Sequence, residues 1–389
     1  MLRRRKLDTP LAIGIVSLVL FGVVMIYSAS IIVSLDNTSD PQFYFKRQLM
    51  WVVLGLILMA VASVTDYRNW EKLAKWMLPA CLILLLSVFV LGKADVINGA
   101  QRWINLGFFS FQPSEVVKLL FSVYLAAWFA QRKEEVRSWN TFGTFMGVVT
   151  VISLLMLRQP DFGTLTVIIV AAISIYVVAG MTWKQAVAGG LILIIGAAAA
   201  LSVPYRRERV LTFLNPERDQ SGASYQVKNI SIAVGSGGWF GLGFGQSGQK
   251  RLFLPEPHTD SIFAIVVEEL GFIVGALLVL AIFFVIYRCY RVALRAPDDF
   301  SRYLATGITT WFAYQSFLNL SAMLQLVPLK GLPLPFISYG GSYLLVTMVA
   351  AGVLLNISRH TTEGPVLTEQ NKAAGRRTTA RATKLNKAG

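Results

Sequence analysis

Four acids and a histidine crowd the entrance of one apolar run. Glu256, His258 and Asp260 stand just before it, with Thr259 between the last two. Glu268 and Glu269 lie inside it, about two helical turns from its start. A charged side chain at the centre of a membrane helix costs roughly 2.5–3.5 kcal/mol even on the gentler scales. Carboxylates kept in such a place point to a polar ligand met at a membrane. A carboxylate there can take a proton from a hydroxyl, and cations beside it can hold an anion.

Further ionisable groups mark the edges of other apolar runs. Arg47 precedes the second. Arg102 and Trp103 precede the fourth, where a Trp beside an Arg serves as an interfacial anchor and can also stack on a sugar. The fourth run opens Phe111-Gln112-Pro113-Ser114-Glu115-Val116-Val117-Lys118. Pro113 suits a first helical turn. Glu115 and Lys118 share a helix face three residues apart and can pair, either as a structural link or lining a polar cavity. Asp161, in Arg158-Gln159-Pro160-Asp161-Phe162-Gly163-Thr164, suits the N-cap of the helix after it, as Asp260 suits its own. Arg47, Glu115, Asp161 and Asp260 all fall on one face of the membrane.

The elements that must carry these groups are membrane helices. Of 389 residues, 55% are hydrophobic and 15% charged, whereas soluble chains carry about 25% charged residues. Apolar runs long enough to cross ~30 Å of hydrocarbon fall at 11–33, 48–65, 77–92, 113–130, 141–157, 163–180, 184–202, 261–287, 303–326 and 341–357. The third and fifth are short and extendable. The expectation is an all-α integral membrane protein of ten transmembrane helices, with a long extracytoplasmic loop, 203–260, between helices 7 and 8.

Lys and Arg placement orients the bundle. A basic N-terminus, residues 1–10, stays in the cytoplasm, and ten crossings of the membrane domain, 11–358, return the C-terminus to the same side. The composition of 359–389 predicts a disordered basic tail. The net charge of +15 is then mostly a cytoplasmic-face property suited to anionic lipid. No folded basic domain calls for nucleic acid. Cys81 and Cys289 are free thiols, and two cysteines make no metal site. The N-terminus mimics a secretory signal, but its apolar run is too long for one.

The long loop mixes cations with apolar residues at Pro204–Leu214, where Arg206, Arg207 and Arg209 can face a phosphate-bearing head group. Tyr225 and Gln226 follow, then a glycine-rich run, 235–245, permissive enough to fold tightly over a ligand. It does not match a phosphate-binding loop. Residues 327–340, rich in Gly and Pro and including Ser338 and Tyr339, read as a re-entrant lid on the outer side.

Taken in order, Gly99-Ala100-Gln101-Arg102-Trp103, Gln112-Pro113-Ser114-Glu115, Gln159-Pro160-Asp161-Phe162-Gly163, Pro255-Glu256 with His258-Thr259-Asp260, Glu268-Glu269-Leu270-Gly271 and Leu334-Pro335-Phe336-Ile337-Ser338-Tyr339-Gly340-Gly341 resemble the SEDS family of bacterial cell-wall proteins. Within it, the segments around Pro204–Pro216 and Gly238–Lys250 look more like FtsW and SpoVE than RodA. The resemblance implies a peptidoglycan glycosyltransferase in the bacterial cytoplasmic membrane, polymerising lipid II on the outer face. It implies a class B penicillin-binding transpeptidase as partner, beside other divisome or elongasome membrane proteins. Inversion at the anomeric carbon, with undecaprenyl pyrophosphate leaving, needs a base at the acceptor hydroxyl. Asp260 is that base. Arg47, Arg102 and Lys118 are candidate anion stabilisers, with Arg206, Arg207 and Arg209 beyond them. Trp103, Gln112, Ser114, Glu115, Asp161, Tyr225, Gln226, Glu256, His258, Thr259, Glu269, Ser338 and Tyr339 complete the candidate substrate site. A divalent cation such as Mg or Mn can share the pyrophosphate charge, although no all-protein cage for it is visible in the sequence. The rival classes are a lipid II flippase and a non-catalytic division scaffold. A flippase needs polar residues through the whole bundle, whereas these gather at one face.

Overall fold

The computed structural model describes residues 7–91, 96–97, 100–105, 107, 110–201, 223–250, 254, 257–329 and 331–361. Apolar helix formers dominate each run, and polar residues start the helices. Asp8 accepts from the Leu11 amide to begin α1 (Thr9–Thr38). α2 (Phe43–Val64) and α3 (Arg68–Leu91) follow. Two small antiparallel pairs come next, β1 (Val96–Ile97) with β2 (Ala100–Gln101) and β3 (Ile104–Asn105) with β4 (Ser110–Phe111). They are the only strands among the described residues, and an all-helical reading does not foresee them. Pro113 opens α4 (Pro113–Ala130). Ser138 caps α5 (Trp139–Arg158) and Asp161 caps α6 (Phe162–Ala179) through the Thr141 and Thr164 amides. α7 (Trp183–Leu201), α8 (Ala223–Ser236), α9 (Ile262–Leu294), α10 (Asp299–Met323) and α11 (Gly341–Ser358) complete the order.

Eight of these helices are long and apolar enough to cross a membrane: α1 to α6, α9 and α11. α7 has a shorter apolar stretch, Trp183–Gly196. α10 is 25 residues long but carries Thr309, Gln315, Ser316 and Asn319, all buried inside the bundle. It packs against α4, α6 and α9, while α11 packs on α2, α3 on α4, and α1 on α2 and α9. Small residues let these helices close. A side chain at Gly352 would strike the Met59 carbonyl, and one at Gly22 the Ile337 backbone.

The two ends of the bundle are tied differently. At one end Arg288 grips Asp8 through bonds of 2.6 and 2.7 Å, the Asp8 amide donates to Ser358, and Tyr67 donates to Asp298. At the other end the starts of α2, α4, α6, α9 and α11 come together.

α9 is broken near that second end. Gly271 has φ 81°, a left-handed value that favours glycine. The glycine-rich loop is sewn into the break. Leu242 and Gly243 amides donate to the Glu268 and Glu269 carbonyls, and the Phe272 amide to the Gly238 carbonyl. A Cβ on Gly241 would overlap the Glu269 carbonyl, and one on Gly271 the backbone of the loop. Replacing Gly271 by Ala is therefore expected to cost about 1–3 kcal/mol and to lower the unfolding midpoint in detergent. An unchanged midpoint would show that the loop shifts aside freely.

Candidate active site

The acid turn, 257–261, sits at the head of α9. The N-cap position belongs to Ser261, not to Asp260 as the sequence suggests. Two neighbours hold the turn by its carbonyls. From the segment 331–340, here called the strap, Ser338 Oγ donates to Thr259 O (2.5 Å) and the Tyr339 amide to His258 O (2.9 Å). From α10, Asn319 Nδ2 donates to Asp260 O (2.7 Å). Asp260 and Thr259 are half-buried, with Thr259 Oγ1 donating to Asp260 Oδ1 at 3.2 Å. Asp260 Oδ2 faces Gly331.

His258 is buried between Tyr44 and Tyr339, its ring 4.5 and 5.2 Å from theirs. Burial lowers its imidazole to about 4. The ring is neutral at physiological pH and packs as an aromatic.

Glu115 and Lys118 pair at 2.7 Å, both side chains almost wholly buried. Lys118 also donates to Gln315 Oε1 at 2.9 Å and lies over the Trp311 ring, 4.7 Å from its centroid. One helical turn nearer the end of the bundle, Asp161 Oδ2 accepts from Ser114 Oγ (2.8 Å) and Gln112 Nε2 (3.0 Å) while Oδ1 caps α6. One carboxylate therefore both caps α6 and ties it to the start of α4. Beside it Arg102 donates to the carbonyls of Gln159 and Pro160, and Trp103 is half-buried. Arg47 lies over the Phe43 ring at 4.8 Å.

Glu268 and Glu269 face inward, into the protein. Ser28 donates to both oxygens of Glu269, and Lys250 pairs with it at 2.7 Å. Glu268 accepts from Ser247 Oγ and from the Gly248 and Gln249 amides. Both carboxylates thus lock the glycine-rich loop to α1 and α9. Tyr225 is exposed and Gln226 half-buried on α8, which packs against α9. Glu256, Arg206, Arg207 and Arg209 lie outside the described residues. Among the described residues no three His, Cys, Asp or Glu side chains converge to hold a metal.

Sequence reading passed over Ser28, Lys250, Gln315 and Asn319. The last two carried a signal, amides four residues apart inside an apolar run, but nothing in the run names their partners.

A helical membrane bundle with half-buried and buried acids, amides and cations gathered at one end defines a multi-pass membrane protein with a polar site at that end. Residues 9–363 match the model of the cell cycle protein family of FtsW, RodA and SpoVE. The chain belongs to that family. It is 40% identical over 360 residues to stage V sporulation protein E of Bacillus subtilis, covering 92% of this chain and 98% of that protein. It is 40% identical over 356 residues to a probable peptidoglycan glycosyltransferase FtsW of Geobacter sulfurreducens, covering 91% and 95%. Among solved structures, a chain of a peptidoglycan synthase complex that coordinates polymerization and crosslinking aligns with TM-score 0.76 at 28% identity, covering 92% of this chain and 99% of that one. Thermus thermophilus rod shape determining protein RodA aligns with TM-score 0.67 at 25% identity, covering 92% and 98%.

Proposed function

We propose that this chain is a peptidoglycan glycosyltransferase that polymerises lipid II on the outer face of the bacterial cytoplasmic membrane. Asp260 takes the proton of the acceptor sugar hydroxyl as its oxygen bonds to the anomeric carbon. The bond from that carbon to undecaprenyl pyrophosphate breaks, and the electron pair leaves with the pyrophosphate. Arg47, Arg102 and Lys118 are the cations for that developing charge. Trp103, Gln112, Ser114, Tyr225, Gln226 and Glu256 are proposed to meet the sugar and head group. Glu115, Asp161, His258, Thr259, Glu269, Ser338 and Tyr339 shape the site from behind. The observation that carries the reading is the acid turn, held by its backbone carbonyls so that the Asp260 carboxylate is presented half-buried at the polar end of the bundle. Purified protein given lipid II, with and without a class B penicillin-binding transpeptidase, should form glycan strands. Movement of lipid II between leaflets without polymer would overturn it in favour of a flippase.

The reading includes a topology. α7 and α10 cross with the other eight helices, the termini are cytoplasmic, and the loop 203–260 is outside. Single cysteines at Asn37 and Glu134, both exposed and at opposite ends of the bundle, test it. In protein lacking Cys81 and Cys289, an impermeant thiol reagent should reach position 37 from outside and position 134 only from the cytoplasm. Labelling of both from one side would refute the arrangement.

A further inference from the structure

The acid turn and the buried ion pair are joined through two amides of one helix. Gln315 and Asn319, four residues apart on α10, are both buried. Gln315 Oε1 accepts from Lys118 Nζ (2.9 Å) and from Trp311 Nε1 (2.8 Å), while its Nε2 donates to Pro333 O in the strap (2.8 Å). Asn319 Nδ2 donates twice, to Leu332 O in the strap (2.7 Å) and to Asp260 O (2.7 Å). One nitrogen therefore fixes the backbone of Asp260 against the strap, beside Gly331, which Asp260 Oδ2 faces.

The orientation of the Asn319 amide follows from its neighbours. Both are carbonyl oxygens, which only accept, so the NH2 must face them. Its own Oδ1 is left without a hydrogen-bond partner among the described residues. A buried acceptor without a donor is unfavourable. An amide placed for stability alone would be expected to satisfy both ends. This one keeps its two donors on two backbone points and leaves its acceptor unmet.

We infer that Asn319, backed by Gln315, is a positioning residue for the reaction: it sets where the Asp260 carboxylate stands relative to the strap and to the Glu115–Lys118 pair. The inference rests on the reading of Asp260 as the base. Gln315 carries the same frame to Lys118, so base and cation are registered against a single helix. A general base works only within hydrogen-bond reach of its proton, and a displacement of about 1 Å can cost on the order of 10²-fold in rate.

The test is steady-state polymerisation of lipid II by full-length Asn319→Leu protein, which keeps the branched shape and loses both donors. The expected result is a kcat lowered on the order of 10²-fold, a KM for lipid II within about twofold of wild type, and an unchanged complex with the transpeptidase. Asn319→Gln, which restores the donors on a longer arm, should recover part of that kcat. A role in stability alone predicts instead a lower unfolding midpoint with normal kcat per folded molecule. That result, or a raised KM at normal kcat, overturns the inference. If Asn319→Leu does not fold, Gln315→Met decides between the two roles by the same split between kcat and KM. Asp260→Asn is assayed alongside. An inert Asp260→Asn with a fully active Asn319→Leu sinks only the positioning role, whereas an active Asp260→Asn sinks the base and the inference together.

Discussion

With Asp260 as the base, Asp260→Asn protein is expected to insert and fold as the wild type does while its polymerisation rate from lipid II falls by about 10²–10⁴-fold. The size of the loss comes from chemistry alone. Asparagine has nearly the shape of aspartate and no basic lone pair. It also caps helices about as well as aspartate, and in this structure the cap position of α9 falls to Ser261. The carbonyl that Asn319 holds is backbone and survives the change. Stability should therefore move little while turnover collapses. A variant that polymerises at more than about a tenth of the wild-type rate would remove Asp260 as the base and direct attention to Glu115 or Asp161.

Lys118→Met is the second large effect, and it acts on folding as well as turnover. Lys118 and Glu115 are buried at 2.7 Å from each other. Taking one partner away strands a charge inside the bundle, which costs about 3–5 kcal/mol. The unfolding midpoint in detergent should drop sharply. Adding Glu115→Gln should restore most of it, because an apolar or neutral pair of similar volume is often no worse than a buried ion pair. Activity separates the two roles. If the pair serves the pyrophosphate, the restored double variant is folded and inactive. A double variant that both folds and polymerises would reduce the pair to a structural link between α4 and the bundle.

Hydropathy alone located the eight described helices that are long and apolar enough to cross a membrane, since a run of apolar residues long enough to span a bilayer has few alternatives. Asp161 was legible as a cap, and Glu115 with Lys118 as a pair, because these interactions are local: three residues of separation place them on one turn or one face. The third run, short and extendable in the sequence, reaches back to Arg68 in α3, whose first turns carry Arg68, Glu71, Lys72 and Lys75 and so hide a helix from an apolar count. α8 was missed for the same reason, being short and polar.

Only the tertiary structure decided what the acids of α9 face. Read along the chain, Asp260 and Glu269 are simply acids of one apolar run, one at its mouth and one two turns inside. In the fold their partners come from far away: Ser28 is 241 residues from Glu269, Ser338 is 79 from Thr259, and Asn319 is 59 from Asp260. Glu268 and Glu269 face inward and hold the loop that meets the break at Gly271, while Asp260 is gripped by its carbonyl and its carboxylate is half-buried. Helical periodicity tells which residues share a face within one element. Which foreign donor meets a buried carboxylate is set by how helices pack and where they break, and those depend on close contacts between residues remote in sequence.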